Sequence, residues 1–200
     1  MRAPRLPIVL LGLSLATTQA AVAEPIDTTG AIQCEASGFS IDPDPKGTNL
    51  RSAPRVNAPV IGRLAPRTRI TPVEIVGVTF DIVGSKDGWL LIKNGNPEPD
   101  FMLGPANAAD GRGWVSGRLV GTTLGAAALR AAPRRDAPPV ADLSGPGMSP
   151  ESTVVTVIHG CQGKYVEVTA SPLKGKTVRG WSWAPCSLQL TPCDRGGMHE

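Results

Sequence analysis

Residues 50–64, Leu-Arg-Ser-Ala-Pro-Arg-Val-Asn-Ala-Pro-Val-Ile-Gly-Arg-Leu, recur 79 positions later as Leu-Arg-Ala-Ala-Pro-Arg-Arg-Asp-Ala-Pro-Pro-Val-Ala-Asp-Leu. Eight of the fifteen positions are identical and in register: Leu50/Leu129, Arg51/Arg130, Ala53/Ala132, Pro54/Pro133, Arg55/Arg134, Ala58/Ala137, Pro59/Pro138 and Leu64/Leu143. Each copy is followed by an apolar run, a glycine close to an aromatic residue, and then Gly-Trp. These are Gly88-Trp89 and Gly113-Trp114 in the first copy, and Gly163-Lys164-Tyr165 and Gly180-Trp181 in the second. A repeat longer than solenoid periods, with its own punctuation, means two copies of one small domain.

Residues 1–23 have the pattern of a cleaved secretory signal: Arg2 and Arg5, an apolar run from Ile8 to Ala16, and the small residues Ala21-Val22-Ala23 before the break. The apolar run is far short of the roughly 20 residues a membrane span needs. The expectation is a periplasmic or secreted protein with no membrane insertion. Losing the leader removes two basic residues, so 18 basic face 17 acidic and the net charge falls to about +1. Without a basic block interleaved with aromatics, nucleic-acid binding has no electrostatic footprint.

With 23 glycines and 20 prolines, short strands and many turns are expected rather than long helices. The expected units are a module over residues 30–121, a degenerate second module over 122–193, and a flexible tail from 194 to 200. Domains this small are marginal on apolar burial alone, and four cysteines in an exported chain suit that shortage as cross-links. Strand is expected at Ala31–Cys34, with an irregular loop from Ser37 to Thr48. A turn is expected at Ala53–Pro59, where prolines interrupt pairing. Val73, Ile75, Val76, Val78, Phe80, Ile82 and Val83 cannot share one face of a strand, which predicts a bend near Gly77. A further turn is expected at Gly84–Gly88, and Lys93 to Asp110 reads as a long Pro/Gly/Asn-rich loop and a candidate binding edge. Ala126 to Ala132 has high helix propensity, but its place in the repeat argues strand.

Candidates for chemistry are few. His159 and His199 are the only histidines. His159-Gly160-Cys161 is the one pairing suggestive of a nucleophile and base, and no third orienting group is evident. No Cys-x-x-Cys pair supports a metal site. Asp42 and Asp44 lack the acidic partner that EF-hand spacing requires. No cofactor is expected. With only eight aromatics in 200 residues, Trp89, Trp114, Tyr165, Trp181 and Trp183 stand out. An indole is suited either to a small barrel's core or to the face of a sugar or peptide.

The succession Leu50-Arg51-Ser52-Ala53-Pro54, then Gly88-Trp89 leading into Leu90-Leu91-Ile92, then Gly113-Trp114-Val115, resembles the bacterial SH3 (SH3b) family, with Ala53 where the family has glycine. The resemblance covers most of the chain after residue 30 and is weaker in the second copy. It implies an all-β protein of two tandem SH3-like small barrels. It implies a non-catalytic envelope protein that recognises peptidoglycan or its peptides, and Arg51, Asp81, Trp89, Arg112 and Trp114 as binding residues. It also implies a Cys161–Cys186 disulfide between neighbouring strands, which leaves Cys34 with Cys193. The alternative is a module that docks an envelope protein through exposed strand edges and the Lys93–Asp110 loop, or inhibits it.

Overall fold

A computed structural model describes residues 25–96 and 111–193. The signal at 1–23, the tail at 194–200 with His199, and residues 97–110 of the expected loop lie outside the described residues.

The protein is all-β. Its strands are β1 (Ile32–Ser40), β2 (Asn49–Arg51), β3 (Val60–Arg63), β4 (Thr68–Arg69), β5 (Ile75–Val76), β6 (Thr79–Lys86), β7 (Trp89–Asn96) and β8 (Gly113–Ser116). They continue with β9 (Val120–Gly121), β10 (Ala128–Arg130), β11 (Pro139–Asp142), β12 (Val154–Gln162), β13 (Tyr165–Ser171) and β14 (Val178–Trp183). One sheet runs β3-β2-β8-β7-β6-β1-β9 and a second β11-β10-β14-β13-β12, while β4 and β5 form a small hairpin. No sheet closes on itself. The first five strands of the larger sheet and the whole of the smaller follow the same order, so the duplication read in fifteen residues extends over both halves.

Details of register repeat as well. The ladder slips between Leu50 and Arg51 and again between Leu129 and Arg130. Bulges at Thr79/Asp81 and Ile82/Gly84 in β6 are matched at Val155/Val157 and Ile158/Gly160 in β12. A bulge increases local twist and re-aims the strand, so both halves curl at equivalent points.

The eight identities have a structural reason. Leu50, Leu129, Leu64 and Leu143 are core residues, and Ala58 and Ala137 are buried at the turn. Inside each turn the same bonds recur: Arg55 N–H donates to Ala53 O, Ala58 N–H to Arg55 O and Ser52 N–H to Pro59 O. Their counterparts are Arg134 to Ala132, Ala137 to Arg134, and Ala131 to Pro138. Arg51 Nη1 donates across the first turn to Ala58 O at 2.8 Å, and Arg130 Nη1 across the second to Ala137 O at 3.1 Å. Ala128–Arg130 is strand, as its place in the repeat requires: it pairs with β11 and β14, and Leu129 is a fully buried core residue.

The expected bend falls at Gly77 and Val78, between β5 and β6. A side chain on Gly77 would overlap the carbonyl oxygen of Ser40, so only glycine permits this approach. The turn expected at 84–88 is shorter: β6 runs to Lys86, and Asp87-Gly88, both at positive φ, make a two-residue hairpin turn. Residues 37–40, expected in a loop, continue β1, because Ser37 to Phe39 pair with β6 and Phe39 and Ser40 with β9. Lys93 to Asn96 likewise belong to β7 rather than to a loop. Asp42 and Asp44 spend a carboxylate oxygen each on the N–H two residues on, as turn-forming aspartates do.

The halves meet along a seam between β1 and β6 on one side and β12 on the other. Cys34 and Cys161 are disulfide-bonded across it. Glu35 N–H donates to Gly163 O at 2.7 Å, and Gly163 N–H to Gln33 O at 2.9 Å. The buried Ser85 hydroxyl donates to Cys161 O and accepts from Cys161 N–H, both at 3.0 Å. A side chain on Gly117 would overlap Ile158 O, so the backbones touch there too. The apolar residues of both halves form one continuous cluster through this seam.

The disulfide pairing expected from the resemblance is corrected. Cys186 pairs with Cys193, not Cys161, and Cys34 pairs with Cys161, not Cys193. The physical reason is where β12 and the chain after β14 go. The bridge Cys34↔Gly163 brings the end of β12 beside β1, while Cys186 exchanges both backbone hydrogen bonds with Thr123. Disulfides form and persist in oxidising compartments. No helix among the described residues is long and apolar enough to cross a membrane.

Candidate functional site

Two clefts are each lined by residues of both halves, and each contains one of the expected binding residues. The first, about 350 Å³, lies between the β6–β7 turn, the 3-10 turn at Gly117–Leu119 and β12. Gly117 N–H donates to Gly88 O at 2.9 Å, which ties the hairpin turn to the 3-10 turn. That contact sets Trp89 beside Asp87, Ser116 and Arg118, with His159 on the facing strand. Trp89 is half-buried: its ring is supported by the fold and still lines open space. Apolar ring area with hydroxyl, carboxylate and guanidinium groups around it is the composition of a site for a polar ligand with apolar faces.

His159 Nε2 lies 2.7 Å from Thr169 Oγ1. Burial lowers its pKa, the nearby Arg179 and Arg118 cations lower it further, and Glu167 opposes them. A folded-state pKa below the unfolded one means the unfolded chain binds more protons as pH falls. This contribution to stability is therefore complete above the unfolded imidazole value of about 6.5 and declines below it. Urea unfolding between pH 7.5 and 5 is expected to show that decline, and His159→Gln to flatten it.

The second cleft is about 510 Å³. It is bounded by β1, β6, the β12–β13 turn and the chain around Pro185. Asp81 lines it and accepts a 2.7 Å hydrogen bond from Asn94 Nδ2.

The remaining expected binding residues lie elsewhere. Trp114 has no exposed surface, and its indole N–H donates to Asp27 O at 2.8 Å, so it is a core residue. Arg51 is the clamp of the repeated turn, and neither it nor the exposed Arg112 lines either of these two clefts. Tyr165, Trp181 and Trp183 are half-buried on β13 and β14, with Tyr165 opposite Trp183, and also line neither cleft. The Cys161 sulfur is bonded to Cys34, which removes the one pairing of a histidine with a thiol. Among the described residues, no group of three or more His, Cys, Asp or Glu is placed to hold a metal ion.

Sequence reasoning missed Gln189. Its side-chain amide donates to Gly77 O and accepts from Gly77 N–H, both at 2.8 Å, and so closes the chain after β14 onto the bend of the first half. A glutamine in a loop carries no periodic signal that would have pointed to it. Comparison with family models, with curated proteins and with solved structures finds no match to this chain.

Proposed function

We propose that this is an exported, non-catalytic binding protein of the bacterial envelope, built from two SH3-like units, and that its ligand is peptidoglycan. The observation that carries the reading is the half-buried Trp89, held at the rim of a cleft with Asp87, Ser116, Arg118 and His159 around it. A sugar ring stacks its C–H face on an indole and presents hydroxyls at its edge, where charged and hydroxyl side chains supply hydrogen bonds. The resemblance of the repeated turn and the Gly-Trp elements to SH3b modules supplies the ligand class. The two disulfides agree with an exported chain.

Sedimentation with purified sacculi tests the proposal. The mature protein is expected in the pellet, and Trp89→Ala in the supernatant with an unchanged circular-dichroism spectrum. Wild-type protein that stays in the supernatant at low salt overturns the reading.

The protein-docking alternative is favoured by the two equivalent sheet edges, β3 and β11, which expose Val60 and Val140. Exposed edges are templates for strand addition. A pull-down from periplasmic extract that is lost on charging both valines, with sacculus binding absent, would select it.

A further inference from the structure

The two disulfides differ in exposure and in what they hold. Cys34, Cys161 and Cys193 are buried, and Cys186 alone is half-buried. Cys34–Cys161 sits in the seam, where the Ser85 hydroxyl and the backbones of both halves close around it. Cys186–Cys193 closes a loop of only seven positions, and no strand includes residues 187–193. That loop nevertheless straps the second half to the first. Cys186 exchanges both backbone hydrogen bonds with Thr123, Leu188 O accepts from Thr123 Oγ1, and the Gln189 amide holds both the N–H and the C=O of Gly77. Cys186 also lines the cleft of about 510 Å³, together with Ala184 and Pro185.

We infer that Cys186 is a thiol–disulfide exchange site, at which a dithiol opens the Cys186–Cys193 bond and leaves Cys34–Cys161 closed. Exchange needs a thiolate to reach a disulfide sulfur, and Cys186 is the cysteine that solvent reaches, from the cleft. One thiolate of the dithiol attacks Cys186 Sγ. A mixed disulfide forms, the Cys186–Cys193 bond breaks, and Cys193 leaves as a thiolate that takes up a proton. The second thiol, giving up its proton, attacks the dithiol's own sulfur in the mixed disulfide, and Cys186 leaves and is protonated. Two electrons and two protons have passed to the protein, and the dithiol has become a disulfide. Opening so short a loop restores less chain entropy to the unfolded state than opening the 127-position loop would, so the fold survives. The effect is local: the strap loses its covalent tie, Gln189 releases Gly77, and the wall of the cleft at Ala184–Cys186 loosens while the seam stays shut. The cleft thus responds to the thiol state of the compartment. This site goes beyond the glycan-binding reading and stands whether or not the Trp89 cleft holds sugar.

The test is graded reduction of the mature, oxidised protein with dithiothreitol in the absence of denaturant, followed by alkylation and peptide mapping. Cys186 and Cys193 are expected to be alkylated at least about tenfold faster than Cys34 and Cys161. Amide hydrogen exchange followed by NMR reads the second step. Exchange at Gly77 N–H should accelerate about tenfold or more on this partial reduction, while Cys161 N–H, held by Ser85, keeps its protection. The Cys186→Ala, Cys193→Ala double variant should show the faster Gly77 exchange without reductant, and re-oxidation of the wild type should restore the slow rate. Equal alkylation of all four cysteines, earlier alkylation of Cys34 and Cys161, or a Gly77 amide that stays protected in both the reduced protein and the double variant would each overturn the assignment.

Discussion

Replacing Cys34 and Cys161 together by alanine is expected to destabilise the protein by about 5 kcal/mol, because the disulfide closes a loop between residues 127 positions apart. Alanine is the informative replacement. Both sites are buried, and a serine hydroxyl there would add the separate cost of an unpaired polar group. Removing the Cys186–Cys193 bond is expected to cost about half as much, since its cysteines are only seven positions apart. The difference is diagnostic, because the pairing implied by the resemblance would put a long loop on Cys193 instead. Urea unfolding of the two double variants reads the comparison directly. With total stabilities of about 5–15 kcal/mol for domains of ordinary size, the larger loss is enough to open the seam and both clefts with it.

Trp114→Ala is expected to cost about 3–5 kcal/mol, the range for emptying a large aromatic site in a core. The side chain has no exposed surface and is the largest of the fully buried ones. Its indole N–H is also the donor to Asp27 O, so the truncation leaves a carbonyl without that partner. Trp114→Phe should recover most of the packing and lose mainly the hydrogen bond, about 1 kcal/mol. If Trp114 were a ligand contact, both variants would abolish binding at unchanged stability. The structure predicts the reverse order of effects, measured by the midpoint of urea unfolding.

Much of the fold was legible because local chemistry decides it. The doubled turn declared two equivalent units and Gly77 declared a bend, while the turn expected at Gly84–Gly88 narrowed to Asp87-Gly88. Where the repeat conflicted with the helix propensity of Ala126 to Ala132, the repeat was the better guide, since Leu129 fills the same core position as Leu50. What was not legible depends on how the halves sit against each other. The disulfide partners follow from β12 lying beside β1, a contact between residues more than 120 positions apart that no local pattern encodes. The continuation of β1 to Ser40 is a long-range effect within the first half, because its last residues pair with β9, which lies far along the chain.

The candidate site was legible in part. Trp89 and Asp81 do line clefts, but Trp114 shares the Gly-Trp signature of Trp89 and lies in the core. Sequence alone could not separate two tryptophans that each follow a glycine. Arg51 illustrates the opposite confusion. Its recurrence as Arg130 was a sign of structure: a residue repeated with the turn that it clamps serves the turn.

We propose that the closed seam between the two halves sets Trp89 where a wall ligand can stack on it. The most direct measurement is a two-dimensional NMR titration of the four indole N–H signals with soluble peptidoglycan fragments. A saturable shift of the Trp89 signal is expected while the buried, hydrogen-bonded Trp114 signal stays in place. A Trp89 signal unmoved at saturating fragment would contradict it.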